Sequence, residues 1–171
     1  MGVAGSGKSS VASALGEALG LEVIEGDAYH PQSNIDKMAA GIPLTDDDRR
    51  PWLEALVELV GTRHASGVGT VLACSALKRS YRDILRSTIP SDESFVILLD
   101  ADADTLRERM AERTGHFMPV SLLDSQLATL EPLEPDERGA VIDVTPQLAV
   151  VIEWALSAIR ISPHGTLRPG R

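Results

Sequence analysis

Lys8 and Ser9 stand behind a glycine in the run Gly2-Val3-Ala4-Gly5-Ser6-Gly7-Lys8-Ser9, with Ser10 following. The spacing fills G-x-x-x-x-G-K-[ST], the pattern of a phosphate-binding loop. Glycines let the chain turn tightly so that successive N–H groups meet phosphate oxygens, and the following helix directs its positive end at the same anion. Lys8 then reaches the β- and γ-phosphates, and the Ser9 hydroxyl serves as a Mg²⁺ ligand. An ordinary glycine-rich turn would need no helix behind it. Here Val11, Ala14, Leu15, Ala18 and Leu19 make an apolar stripe at helical spacing, and Gly20 is a helix stop. The sequence therefore predicts nucleotide binding by Gly2 to Ser10.

Three further stretches carry residues suited to phosphoryl transfer. In Gly26-Asp27-Ala28-Tyr29-His30-Pro31, the Asp27 carboxylate could orient an acceptor hydroxyl and take its proton, or hold Mg²⁺ through water. The same Asp and Pro also suit a plain turn and helix cap, and a lone histidine before proline also suits packing. In Cys74-Ser75-Ala76-Leu77-Lys78-Arg79-Ser80-Tyr81-Arg82-Asp83, Ser75 is read as a helix cap that puts Lys78 and Arg79 in the first turns. Cations are unfavourable at that end, and an anionic ligand would explain them, as would simple solvation. In Arg107 to Pro119, Arg109 and Arg113 share a helix face just before a segment flanked by Gly115 and Pro119. They could simply complement the helix dipole. In a phosphotransferase they suit a hinged lid that excludes water and neutralises phosphate charge.

The elements that must position these residues follow from apolar patterning. Leu21 to Gly26, Val68 to Cys74, Ser94 to Asp100 and Ala140 to Val144 are short apolar runs of strand length separated by helical periodicity. That alternation predicts an α/β fold, a mostly parallel sheet in three layers with helices on both faces. One helix carries Trp52, Leu53, Leu56, Val57 and Val60 on a single face. Its start is open between a Thr45/Asp48 capping box and Pro51 as first helical residue. A phosphate loop normally follows a buried central strand, and only Met1 precedes this one. Deleting a central strand leaves unpaired backbone groups at about 1–3 kcal/mol each. The simplest expectation is that Met1 is an internal residue of a longer protein. The domain is expected over residues 1–161 with a lid roughly at 113–132, and the tail 162–171 is expected to be disordered.

Composition bounds the partners. The chain has 171 residues, 43% hydrophobic and 24% charged, with a net charge of −9. An acidic balance of this size argues against nucleic acid and anionic membranes as partners, because both need a basic face. Cys74 is the only cysteine, which excludes an intrachain disulfide and a cysteine metal cluster. With no long apolar run and a phosphate loop at the N-terminus, a cytoplasmic setting follows.

Taken together, Gly26 to Leu53 (GDAYHPQSNIDKMAAGIPLTDDDRRPWL), Cys74 to Asp83 (CSALKRSYRD) and Arg113 to Pro119 (RTGHFMP) resemble the gluconate kinases, P-loop kinases of the shikimate-kinase-like group. The similarity runs from Gly2 to about Leu130. It implies ATP- and Mg²⁺-dependent phosphorylation of D-gluconate on its terminal hydroxyl, and a homodimer. By motif position it implies Asp27 facing the acceptor hydroxyl and His30, Arg49, Lys78, Arg82 and His116 near the sugar acid. Lys8, Arg109 and Arg113 then fall near the phosphates, with Ser9 and Asp27 on the metal. Two alternatives stay open: a kinase of this fold acting on shikimate or a nucleoside monophosphate, and a nucleotide-binding module without activity.

Overall fold

The short apolar runs form strands, and the periodic segments between them form helices. The structure, a computed structural model, describes residues 1–112, 121–161 and 166–167. In chain order the elements are α1 (Lys8–Leu19), β1 (Glu22–Glu25), a 3₁₀ turn (Gly26–Tyr29), α2 (Gln32–Ala39), α3 (Asp46–Ala65), β2 (Thr70–Ala73) and α4 (Arg79–Arg86). Then follow β3 (Val96–Asp100), α5 (Ala103–Glu112), α6 (Ser121–Thr129), β4 (Gly139–Asp143), α7 (Leu148–Ile161) and β5 (Thr166–Leu167). The last of these is a short strand within the tail expected to be disordered. No described helix is long and apolar enough to cross a membrane.

All strand pairs are parallel, as the βα alternation requires. Among the described residues, however, they form two sheets, β1-β2 and β3-β4-β5. Glu22 stands opposite Thr70 in the first, and Val96 opposite Gly139 in the second. Between the sheets lies the backbone of Met1 and Gly2. The Leu99 N–H donates to the Met1 carbonyl at 2.9 Å, the Met1 amino group donates to the Ile97 carbonyl, and the Gly2 N–H donates to the Ser75 carbonyl at 3.2 Å. Met1 thus bonds β3, and Gly2 bonds the segment that follows β2.

Helices hold the halves together. Val11 and Leu15 of α1 pack in one core with Leu99, Ala140, Ile142 and the α7 residues Val151, Ala155 and Ala158, and Val71 of β2 packs against the same core. On the other face, Trp52, Leu53 and Leu56 of α3 pack with Ile24, Cys74, Tyr81 and Leu85. A third cluster of Val3, Leu77, Leu106 and Leu123 seats the N-terminal loop on α5 and α6.

Of the two possible starts of α3, the capping box is the one used. The Thr45 hydroxyl accepts from the Asp48 N–H, the Asp48 carboxylate accepts from the Thr45 N–H, and the helix runs through Pro51 to Ala65. The bonds from Lys37 and from Thr45 hold the Asp48 carboxyl down at about 2. Ser75 is not the cap of α4. Ala76 adopts φ 43, a left-handed conformation that ends any helix begun at Ser75, and α4 starts at Arg79 with Lys78 as its N-cap. The cations at this end are met by protein carboxylates. Lys78 bonds both oxygens of Asp46 at 2.8 Å, and Arg79 bonds Asp83 and Asp136.

Arg82 corrects a second expectation. It is 2% exposed and forms a bidentate pair with the fully buried Glu137, both bonds at 2.6 Å. Its remaining N–H groups reach the Leu77, Glu131 and Pro132 carbonyls. The fork is satisfied by protein, and the side chain ties α4 to the segment entering β4 rather than facing a sugar acid. Burial alone would push the Glu137 carboxyl up, but the Arg82 bonds, the Glu134 N–H and nearby Arg86 offset it and hold it below its usual value.

Two stability measurements follow. Arg82→Met strands a buried carboxylate and should cost about 3 kcal/mol in urea unfolding, with much of the loss recovered in Arg82→Met/Glu137→Leu. A group whose folded pKa is depressed adds stability above its unfolded value, near 3.8 for Asp48, that is lost as pH falls towards about 2. Acid titration of Asp48→Asn should therefore show a shallower loss over that window than the parent chain.

Candidate active site

The N-terminal loop has the backbone its glycines permit. Gly2 has φ 144, and a Cβ there would lie 2.6 Å from the Leu99 carbonyl oxygen. Gly7 has φ 83, where an L side chain is strained, and leads directly into α1. Lys8 curls back so that its ammonium donates to the Val3 carbonyl at 2.9 Å. Ser9 Oγ donates to Glu25 Oε2 at 3.0 Å at the end of β1. The Ala4 N–H donates to Gln126 Oε1 of α6 at 2.7 Å, so one loop amide already points at an acceptor oxygen.

This loop floors a cavity whose walls come from distant parts of the chain. Ala4, Gly5, Gly7, Lys8 and Ser9 line it together with Asp27, His30, Arg49 and Ser75, while Leu44, Met110 and Leu122 add apolar surface. Asp27 reaches the cavity because the 3₁₀ turn follows β1 directly, at the carboxyl end of a parallel strand where open α/β sheets bind ligands. Arg49 comes from the first turns of α3. Its guanidinium donates to the Leu44 carbonyl and lies 5.7 Å from the Tyr81 ring centre, within cation–π range.

His30 is held in one orientation. Its ring stacks on Trp52 with centroids 4.1 Å apart and planes at 15°, and the Trp52 indole N–H donates to the Gly26 carbonyl at 2.8 Å. Asn34 is buried, and its Nδ2 donates to the Asp48 carbonyl at 2.8 Å while lying 3.3 Å from His30 Nδ1. A carbonyl only accepts, so the amide nitrogen is the atom facing both groups. The neutral ring then accepts at Nδ1 and carries its proton on Nε2. Burial lowers the His30 pKa, Asp27 opposes the shift and Arg49 adds to it, so this ring is neutral at pH 7.

Beside the cavity Lys78, Asp46 and Tyr81 form a cluster. The Tyr81 hydroxyl donates to Asp46, which Lys78 also bonds, and the Lys78 ammonium lies 5.5 Å from the Tyr81 ring centre. The Lys78 and Tyr81 bonds hold the Asp46 carboxyl below its usual value, and burial, then the bond to Asp46, pushes the Tyr81 phenol up. Lys78 thus stands at the margin in an ion pair.

The structure brings together Ala4, Gly5, Gly7, Lys8, Ser9, Asp27, His30 and Arg49 around one cavity. Gly2, Val3 and Ser6 support the loop from buried positions, and Ser10 is exposed on α1. Arg82 lies in its buried pair. Arg109 donates to the Val144 carbonyl at 2.6 Å, beside Met110 of the cavity wall. Arg113 and His116 lie outside the described residues, as does the 113–120 part of the expected lid. Sequence reasoning missed Gln126, Asn34 and Glu25, and read Trp52 only as core. Nothing local marks Gln126, whereas Asn34 lies inside the Gly26–Leu53 stretch already singled out.

Among the described residues, no three His, Cys, Asp or Glu side chains converge as a metal cage. The donors present are single oxygens beside a phosphate loop. Because Ser9 Oγ gives its proton to Glu25, its lone pairs remain for a cation, an arrangement that fits Mg²⁺ bound mainly by phosphates with one or two protein oxygens.

The comparisons with known proteins agree with this architecture. Residues 1–133 match the AAA domain family. The thermosensitive gluconokinase of Escherichia coli (strain K12) is 44% identical, with 93% of this chain and 84% of that protein aligned. The gluconokinase of Gluconobacter oxydans (strain 621H) is 49% identical over 90% of this chain and 85% of its own. A crystal structure of a gluconokinase from Sinorhizobium meliloti 1021 superposes with a TM-score of 0.85 at 50% identity, covering 95% of this chain and 90% of that one. With a phosphate loop, a facing carboxylate and this degree of identity over most of its length, the chain belongs to the gluconokinase family of P-loop kinases.

Proposed function

We propose that this protein transfers the γ-phosphoryl group of ATP to the terminal hydroxyl of D-gluconate, giving 6-phospho-D-gluconate and ADP. The observation that carries the reading is the convergence of Lys8, Ser9, Asp27, His30 and Arg49 on one cavity in a chain of the gluconokinase family. Loop amides and Lys8 bind the β- and γ-phosphates and neutralise charge on the transferred group. Asp27 orients the hydroxyl, whose oxygen attacks the γ-phosphorus as the bond to the β–γ bridging oxygen breaks. The hydroxyl proton passes to the Asp27 carboxylate and ADP leaves. Catalysis of this kind is mainly positioning and electrostatic stabilisation.

Mg²⁺, when bound, neutralises phosphate charge, and Ser9 Oγ, with Asp27 directly or through water, is the residue set that would hold it. Arg49 pairs with the carboxylate of the sugar acid, and His30 donates its Nε2–H to a substrate oxygen. Lys78, through its link to Asp46 and Tyr81, fixes the rim beside Arg49. Arg109 of α5 and Arg113 neutralise phosphate charge, His116 lies near the sugar acid, and a lid over residues 113–132 excludes water. The working unit is the domain 1–161, assembled as a homodimer in the cytoplasm.

Purified protein with Mg²⁺-ATP should release ADP only when D-gluconate is present. Equal release with shikimate or AMP would overturn the acceptor assignment. Lys8→Ala should lower kcat by about 100-fold or more with little change in thermal stability; an unchanged rate removes Lys8 from the reaction.

The His30 tautomer has its own test. Gln can place an N–H near the Nε2 position and Asn near Nδ1, so His30→Gln should retain more kcat/KM for gluconate than His30→Asn. In the parent chain, activity should fall as pH drops through the His30 pKa, which lies below the usual 6.5, because a protonated Nδ1 opposes the Asn34 amide. That acid limb should vanish in His30→Gln. Equal losses with an unchanged pH profile would leave His30 only its packing on Trp52.

A further inference from the structure

We infer that Tyr81 is a positioning residue for recognition of the acceptor's carboxylate: its hydroxyl keeps Asp46 off Arg49, so that the Arg49 guanidinium is left to pair with an anionic substrate. This rests on the reading of Arg49 as the partner of the sugar acid.

Asp46 and Arg49 are an ion pair that does not form. Both lie in the first turns of α3, three residues apart, a spacing at which a carboxylate and a guanidinium on one helix normally meet. The bonds from Lys78 and Tyr81, and the charge of nearby Arg49, hold the Asp46 carboxyl below its usual value. Among the described residues, however, the ion pair of Asp46 is with Lys78, whose ammonium bonds both carboxylate oxygens at 2.8 Å, and its further side-chain bond comes from the Tyr81 hydroxyl. A carboxylate paired with Arg49 would cancel the charge that a sugar acid has to find there, in a protein with a net charge of −9.

The Tyr81 hydroxyl faces both groups. A phenol has one proton to donate, and its oxygen can accept. The proton goes to Asp46, while the oxygen lies 3.5 Å from the donor Nη1 of Arg49. One atom thus meets the carboxylate as a donor and the guanidinium as an acceptor. Burial, then the bond to Asp46, pushes the phenol's pKa up, which keeps that proton in place. The residue is buried among Trp52, Leu53 and Leu56, and both cations lie over its ring, Arg49 at 5.7 Å and Lys78 at 5.5 Å from the centre. Among the described residues, the guanidinium of Arg49 bonds protein through Nη1, at the Leu44 carbonyl and the Tyr81 oxygen. Its Nε–Nη2 edge is a fork that takes a carboxylate in two parallel bonds.

The test removes the hydroxyl and keeps the ring. In Tyr81→Phe, Asp46 is held by Lys78 alone and can share its charge with Arg49. KM for D-gluconate should rise about fivefold, the strength of an exposed ion pair, with kcat and KM for ATP within about twofold of the parent chain. In Tyr81→Phe/Asp46→Asn no carboxylate remains to compete, and KM for gluconate should return to within about twofold of the parent. Asp46→Asn alone should leave that KM unchanged or lower it, since asparagine still accepts from Lys78 and Tyr81. An unchanged KM in Tyr81→Phe overturns the proposal, and so does a rise that persists in the double variant. A loss spread over kcat and both KM values with a lowered melting temperature, the mark of damaged packing, overturns it as well. A parent chain that releases no ADP in response to gluconate overturns the substrate reading and this proposal with it; an active parent with an unmoved KM in Tyr81→Phe overturns this proposal alone.

Discussion

Three backbone hydrogen bonds made by Met1 and Gly2 fix the origin of the phosphate loop, and the site is built outward from them. They pin the chain to β3 through Ile97 and Leu99 and to the segment after β2 through Ser75. The loop that follows can turn as it does only because Gly2 accepts φ 144 against the Leu99 carbonyl, where any Cβ would collide. From this fixed point α1 leaves with its positive end at the loop, while its buried face, through Val11 and Leu15, joins the two sheets in one core. The helix that follows the loop is thus part of what joins the halves of the fold.

Charge is arranged locally rather than globally. A protein with a net charge of −9 must still hold polyanionic ATP, so its cations have to be placed individually. Many basic side chains outside the cavity are engaged by carboxylates: Lys37 with Asp48, Lys78 with Asp46, Arg79 with Asp83 and Asp136, and Arg82 with Glu137. Those pairs orient loops and helix ends. At the cavity, the Lys8 ammonium and the Arg49 guanidinium each donate to a backbone carbonyl. Solvent-exposed pairs such as Lys78–Asp46 add little stability, whereas the buried Arg82–Glu137 pair makes the geometry of the β4 approach depend on both partners.

The acceptor side of the site shows how tertiary packing assigns a chemical role. His30 is an isolated histidine in sequence, and its ring could carry a proton on either nitrogen. Stacking on Trp52 fixes the plane. The Asn34 amide, oriented by the Asp48 carbonyl fourteen residues further along the chain, fixes the tautomer. The capping box that starts α3 therefore does double duty, because Asp48 both caps the helix with its carboxylate and aims Asn34 with its backbone.

The sequence by itself determined the local grammar of the protein. The glycine-lysine-serine spacing specified a loop whose backbone must enter left-handed space, and apolar runs of strand length specified β1 to β4, because both signals depend only on neighbours along the chain. The placement of Asp27 after a strand likewise carried it to the carboxyl end of a parallel sheet. Local signals could not say where long side chains would go. The resemblance set Arg82 and Lys78 alike near the sugar acid, yet Glu137, fifty-five residues away, takes the first into the core. Ser75 read as a cap until Ala76 turned left-handed. Gln126 carries no signal of its own and becomes part of the site only because α6 packs over the loop and presents an oxygen to the Ala4 amide. Tertiary structure decided these roles because hydrogen bonds and ion pairs are made with whatever the fold brings within about 3 Å, and sequence separation does not limit that choice.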